Sequence, residues 1–199
     1  EFRRVLFRSI DYRVGVLFAS FSLWRNKMRV ITGSARGMTL RTLDGSDVRP
    51  TTDKVKEAVF SAIQFEIEGR RVLDLFAGSG QLGIEALSRD AKEATFVDAD
   101  KNAIKIVKEN LAKTRLADRA AVLQTDSIAF LGMTDKIFDI AFLDPPYQTG
   151  LLQKALSLLG GHMAQGGIAV CEHPFVEQLP DEQGGLVKQK EYRDRKSVV

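Results

Sequence analysis

Apolar and polar residues alternate along this chain in two rhythms, and the rhythm changes near residue 70. Residues 28–41 alternate apolar and polar around Gly33 and Gly37, which predicts a short β-hairpin. Arg49-Pro50-Thr51-Thr52 reads as a loop ending in helix-capping residues. Val55, Ala58, Val59, Ala62, Ile63 and Ile67 then recur at helical spacing, a stripe that core packing explains. Beyond it, short apolar runs alternate with helical stretches. Residues 71–76 (RVLDLF), 94–98 (ATFVD), 121–124, 139–143 (DIAFL) and 167–171 read as buried strands, and 184–192 as one more. Residues 80–89, 101–116 and 150–159 read as helices, the second with Asp100 at its N-terminus and Ile104, Val107 and Leu111 on its apolar face. Strands and helices alternating at this pitch imply an α/β fold, a parallel sheet with helices on both faces.

Composition changes this picture little. The chain has 199 residues, 44% of them hydrophobic and 28% charged, which excludes a disordered or collagen-like protein. A single cysteine, Cys171, cannot form an internal disulfide and points to a reducing, cytoplasmic setting. No run approaches the roughly 18–20 apolar residues of a membrane span.

Charge changes it more, because the ends look foreign. Residues 1–27 carry a net +4 and residues 194–199 a net +1, so residues 28–193 sum to −2 although the whole chain is +3. Leu6-Phe7-Arg8-Ser9 and the terminal DRKSVV resemble translations, in opposite orientations, of a common sequencing adaptor. We therefore expect residues 1–27 to be a non-native or read-through extension and residues 194–199 a non-native tail. The largely apolar stretch of 11 residues at 14–24 lacks a cleavage site of the small-x-small kind and runs straight into Arg25-Asn26-Lys27, so it does not read as a signal peptide. The pI near 9.0 belongs to these tails and is no argument for nucleic-acid binding.

Two junctions and one acid carry chemistry. Asp74-Leu-Phe-Ala-Gly-Ser-Gly80 falls where a strand meets a helix, and glycines there let backbone N–H groups approach a ligand at the positive end of the helix. Asp98 ends the next strand, 24 residues after Asp74, where an acid can accept hydrogen bonds from ribose hydroxyls. Gly78, Gly80 and Gly83 also satisfy GxGxxG, so spacing alone leaves a dinucleotide open. Asp74 speaks against one: a carboxylate repels a pyrophosphate but attracts the sulfonium or amino group of S-adenosylmethionine.

Asp144-Pro145-Pro146-Tyr147 closes the most apolar strand, at the end of the sheet where open α/β folds bind ligands. An exocyclic amine on a heterocycle is a poor nucleophile, its lone pair delocalised into the ring. Asp144 and the Pro145 carbonyl can accept its two N–H bonds and hold the lone pair toward a methyl donor. The prolines remove competing backbone donors, and Tyr147 offers a face for a flipped-out base. Positioning for in-line attack supplies most of the gain, and no metal is needed. His162 and His173 have too few companions for a metal site.

Over residues 28–193 the chain resembles the bacterial 16S rRNA guanine-N2 methyltransferase family of RsmD type. Arg29-Val-Ile-Thr-Gly33, Arg36-Gly37, Arg49-Pro-Thr-Thr52, Asp74 to Gly80, Asp98 and Asp144 to Tyr147 carry the resemblance, in order and spacing. DPPY occurs in many amino-methyltransferases, whereas the Arg-Pro-Thr loop narrows the match. The resemblance implies a Rossmann-like class I fold of sheet order 3-2-1-4-5-7-6, with S-adenosylmethionine as cofactor. It also implies 16S rRNA in an assembling small ribosomal subunit as substrate. It places Asp74, Phe76, Ala77, Gly78, Ser79, Gly80, Asp98, Ala99, Asp126, Ser127, Arg49 and Thr51 at the cofactor. Asp126 would lie near the adenine, and serves equally as a helix N-cap.

In this reading residues 28–48 form an N-terminal hairpin arm and residues 49–193 the methyltransferase domain of a monomer. The family carries a further, antiparallel strand after residue 193. The adaptor-like tail replaces it, so we expect an unpaired edge and a less stable chain than one with a complete final strand. Residues 28–56 hold Arg29, Arg36, Arg41, Arg49, Lys54 and Lys56 against three acids, a local +3 within an acidic core, which suggests that the arm touches RNA phosphate. A DNA adenine-N6 methyltransferase shares DPPY but needs a target-recognition domain, for which there is no room. A protein-glutamine methyltransferase would carry NPPY and a helical N-terminal domain. A nucleotide-binding module without catalysis is the rival from another class.

Overall fold

A computed structural model describes residues 2–9, 28–43, 53–146, 149–174 and 179–193, with side chains for all of these except 2–9, 53–55, 174 and 190–193. The strands are β1 (Phe2–Ser9), β2 (Arg71–Asp74), β3 (Glu93–Asp98), β4 (Ala120–Gln124), β5 (Phe138–Leu143), β6 (Met163–Pro174), β7 (Glu182–Gln183) and β8 (Leu186–Arg193). The helices are α1 (Asp53–Ala62), α2 (Gln81–Ser88), α3 (Lys101–Thr114), α4 (Ser127–Met133) and α5 (Leu151–Leu159).

The strands form one sheet in the order β4-β3-β2-β5-β6-β1-β8-β7. Strands β2 to β6 are mutually parallel, and their order is the expected 3-2-1-4-5. Beyond β6 the structure departs from expectation. The slot of the antiparallel strand is not open: β1 fills it, antiparallel to both β6 and β8, with a bulge between Leu6 and Phe7 on the β8 side. Ladder hydrogen bonds come from backbone groups that every residue except proline carries in full. A slot bounded by two strands can therefore be filled by an extended segment that supplies those backbone groups.

Alternation along the strands sorts their side chains into two cores. Val72, Phe96, Ile140 and Phe142 face α1, α2 and α3, where the Phe60 ring of α1 packs at a tilt on Phe142, centroids 5.5 Å apart. Their chain neighbours Leu73, Val97, Ala141 and Leu143 face the other way, against Phe130 and Leu131 of α4 and Leu152, Ala155, Leu156 and Leu159 of α5. Complete burial of each Val, Leu, Ile or Phe among them contributes roughly 1.5–3 kcal/mol. At the amino ends of β2 and β5, Arg71 grips Asp139 with Nε at 3.0 Å and Nη2 at 3.0 Å, and its backbone N–H donates at 2.8 Å. That bidentate clamp fixes the register of the two central strands at the end opposite the candidate site.

The hairpin forms, but not as a projecting arm. Val30 N–H donates to the Met38 carbonyl at 2.9 Å and Leu40 N–H to Met28 at 2.7 Å. Met28, Val30, Ala35 and Leu40 are buried in the same core as α1, α2 and α3. Gly33 has a positive φ of 85°, and a Cβ there would stand 1.6 Å from the Ser88 carbonyl oxygen, so only glycine lets the hairpin lie on α2.

Buried polar groups complete the attachment. Glu85 accepts from the N–H groups of Ile31 at 2.7 Å and Thr32 at 3.0 Å, and from Arg89 Nε at 2.9 Å. Lys56 lies 3.7 Å from Glu85 and donates to the Arg29 carbonyl. Lys56 is therefore wholly buried, and it does not belong to the surface charge that the sequence suggested.

Candidate active site

The four parallel strands β2, β3, β4 and β5 deliver Asp74, Asp98, Asp126 and Asp144 to one end of the sheet. Leu75, just past β2, donates its N–H to the Phe142 carbonyl of β5 at 3.1 Å, so the glycine turn and the Asp144 loop start side by side. The turn is built as its glycines suggest. Gly78 and Gly80 both have positive φ, 53° and 77°, a region open to glycine at no steric cost. Gly80 N–H closes the turn on the Ala77 carbonyl at 2.6 Å, and Ala77 N–H is tied to Val97 of β3 at 3.0 Å.

Asp98 is held by the turn. Its Oδ2 accepts from Gly78 N–H at 2.8 Å and its Oδ1 from Asp100 N–H at 2.9 Å. This half-buried carboxylate at the end of β3 is poised to accept from hydroxyls. The N–H groups of Gln81 and Leu82, first in α2, have no acceptor among the described residues, which leaves donors of the helix N-terminus facing the site.

Asp74 behaves differently from a simple facing charge. It is buried, and Oδ2 accepts from Gly83 N–H at 2.9 Å. Burial pushes its carboxyl up to about 7, with the Gly83 bond opposing and the charge of Asp98 adding. Gly83 is itself required here: a Cβ would meet the Phe96 ring at 2.3 Å. The third glycine thus serves close packing of α2 on the sheet.

The remaining expected residues fall as follows. Asp126 is the N-cap of α4, accepting from Ile128 at 2.9 Å and Ala129 at 2.8 Å, and the Ser127 hydroxyl donates to the Leu75 carbonyl at 2.6 Å. Asp126 thus starts α4, and Ser127 ties that helix to the chain just past β2. Phe76 packs on the α4–α5 core, Ala77 is buried and Ala99 is exposed beside Asp98. Asp144 is half-buried, Pro145 buried and Pro146 exposed. Thr149 donates to the Pro146 carbonyl at 2.8 Å and fastens the far side of that loop. Arg49, Thr51 and Tyr147 lie outside the described residues, as does the side chain of Lys54. Arg29, Arg36 and Arg41 are all exposed on or at the exit of the hairpin, and Arg41 pairs with Glu109 at 2.7 Å. Among the described residues no three His, Cys, Asp or Glu side chains gather to hold a metal, and no helix is long and apolar enough to cross a membrane.

Two residues escaped the sequence reading. The Gln81 side-chain oxygen is buried beside the turn with no hydrogen-bond partner among the described residues, and nothing in the sequence marks it. Asn110 is buried between α3 and the turn, its Nδ2 donating to the Ser79 carbonyl at 2.9 Å. Here a signal existed: a polar residue sits on the apolar stripe of Ile106, Val107 and Leu111.

This sheet order, with a glycine turn after its central strand and an acid ending the next, is the Rossmann-like architecture of S-adenosylmethionine-dependent methyltransferases, and the protein is of that class. Comparison with known proteins narrows the class. The chain belongs to the RsmD-type family described as Conserved hypothetical protein 95, whose model matches residues 28–199. It is 44% identical over 165 residues to YlbH of Bacillus subtilis (strain 168), covering 80% of this chain and 90% of that protein. It is 41% identical over 138 residues to Ribosomal RNA small subunit methyltransferase D of Haemophilus influenzae, covering 68% of this chain and 72% of that one. The solved structure of yhhF from Escherichia coli superposes with a TM-score of 0.69 at 36% identity, covering 77% of this chain and 84% of that chain.

Proposed function

We propose that the protein transfers the methyl group of S-adenosylmethionine to the exocyclic N2 amine of a guanine in 16S rRNA, acting as a monomer on an assembling small ribosomal subunit in the cytoplasm. The observation that carries this reading is the adjacency of two parallel strands, β2 ending in the glycine turn and β5 ending in Asp144-Pro145-Pro146. One strand leads to a nucleoside-binding turn and the other to a pair of acceptors. A methyl donor and an amine would therefore meet between them. The relative from Haemophilus influenzae, by its name a small-subunit rRNA methyltransferase, supports RNA over DNA.

The cofactor, when bound, supplies an electrophilic methyl group already activated by the sulfonium. The residues of the chain position and exclude. Asp98, fixed by Gly78 and Asp100, would accept from the ribose hydroxyls. Gln81 and Leu82 N–H would meet a carboxylate. Asp74, ionising near neutrality, would balance a cationic centre more strongly as pH rises. Asp144 and the Pro145 carbonyl would accept the two N–H bonds of the amine and hold its lone pair toward the methyl group, a positioning effect. Tyr147 would stack on the base, and Arg29 and Arg36 on the hairpin would meet phosphate without reading sequence.

Methyl transfer from labelled S-adenosylmethionine tests this reading, with unmodified small-subunit particles, naked rRNA and DNA as parallel acceptors. Label recovered as N2-methylguanosine from particles or rRNA supports it. Label in N6-methyladenine from DNA would replace it with the rival that shares DPPY, and bound cofactor with no label would favour a non-catalytic binding module.

A further inference from the structure

The glycine turn spends the N–H groups of Ala77, Gly78 and Gly80 on Val97, Asp98 and Ala77, and it offers backbone carbonyls to neighbouring side chains. One such carbonyl, on Ser79, is taken by Asn110 Nδ2 at 2.9 Å. The same side chain pairs with both backbone groups of Arg41 at the exit of the hairpin: Oδ1 accepts from its N–H at 2.7 Å, and Nδ2 donates to its carbonyl at 2.9 Å. The orientation of the amide is forced, since two carbonyls and one N–H face it. The other hairpin strand reaches the same point, with the Ser79 hydroxyl 3.4 Å from the Met28 sulfur. Both strands of the hairpin therefore end on Ser79, one directly and one through Asn110. Asn110 is 1% exposed and cannot touch a ligand in the site.

We infer that Asn110 is a positioning residue for the cofactor: by anchoring the Ser79 carbonyl to the hairpin it sets the entry into α2, and so the direction of the Gln81 and Leu82 N–H groups and of Asp98, which is bonded to Gly78. This rests on the proposed use of S-adenosylmethionine. The hairpin is then part of the cofactor site as well as a candidate RNA surface. Three substitutions distinguish this from ordinary packing. Asn110→Ala removes all three side-chain bonds. Asn110→Asp keeps an acceptor for Arg41 N–H but sets oxygen against the Ser79 carbonyl. Thr114→Ala is the control: its hydroxyl donates to the Asn110 carbonyl at 2.8 Å, one helical turn from the amide and without contact to the turn.

Steady-state methyl transfer and calorimetric binding of S-adenosylhomocysteine are read for each variant, with thermal melting alongside. The expected result is a KM for S-adenosylmethionine and a Kd for S-adenosylhomocysteine raised about tenfold in both Asn110 variants, the scale of one lost hydrogen bond. At saturating cofactor kcat should stay within about threefold of wild type. Thr114→Ala should lower the melting temperature but leave KM unchanged. General loosening would instead lower kcat by shrinking the active fraction and spare KM. The inference is overturned if Asn110→Asp keeps wild-type KM and Kd, or if Thr114→Ala raises KM as much. A wild-type protein that binds neither ligand overturns the proposed function first and this inference with it.

Discussion

The hairpin side of α2 and the site end of the same helix are only two turns apart, yet they are built on opposite principles. On the hairpin side the buried polar groups that join it to α2 are spent internally. Glu85 alone takes three bonds, Ser88 accepts from Ala35 N–H at 3.0 Å and donates to the Thr32 carbonyl at 2.6 Å, and Lys56 is sealed inside. At the site end, donors and acceptors are left over: the N–H groups of Gln81 and Leu82, the oxygen of Gln81 and a carboxyl on Asp74 whose proton is held to about pH 7. One end is saturated because it must not move. In the proposed function a ligand completes the other. Unsatisfied buried groups cost stability, so they mark where binding energy is to be gained.

The comparison breaks most completely at Asp144. Asp144→Ala should cut methyl transfer on the order of 10²-fold or more, since misplacing the attacking atom carries that scale of loss. S-adenosylhomocysteine affinity should stay within about threefold by calorimetry, because the turn is untouched. Next is the saturated end. Glu85→Ala leaves Lys56 and Arg89 without their carboxylate and should cost about 3–5 kcal/mol by chemical denaturation, the usual penalty for breaking a buried pair.

Asp74 sharpens the contrast through pH. Unfolded, an aspartate ionises near 4; here, burial foremost raises it to about 7. The folded protein therefore holds an extra proton between these values, and stability from this group falls as pH rises from about 4 to about 7. Asp74→Asn should melt like wild type at pH 4 and higher than wild type at pH 8. Its affinity for S-adenosylmethionine should lack the rise through pH 7 that ionised Asp74 gives the wild type. The smallest effect belongs to the surface. Arg36→Ala should weaken RNA binding modestly and reduce the slope of log affinity against log salt by about 1.

Much of this was legible in the residues. Apolar runs and glycines located β2, β3, β5, α2 and α3 to within a few residues, because fully buried parallel strands read as continuous apolar stretches. The acids at strand ends were legible for the same reason: a charge closing an apolar run has to emerge at an edge of the core. Three features were not. Lys56 looked like surface charge, since a buried lysine is rare and its partner Glu85 is 29 residues away. The hairpin looked like a free arm, since its alternation shows an apolar face but not what covers it. The pairing of Phe2–Ser9 between β6 and β8 was illegible in principle, because backbone ladders carry almost no sequence signature.

Amide hydrogen exchange with and without S-adenosylhomocysteine tests the division of labour most directly. The account predicts that the hairpin amides of Val30, bonded within the hairpin, and of Ile31, Thr32 and Ala35, bonded to α2, are protected before ligand is added and change little. Protection should appear on binding at Gln81 and Leu82 and deepen at Gly78. Protection gained mainly in the hairpin, with the turn indifferent to the ligand, would contradict it.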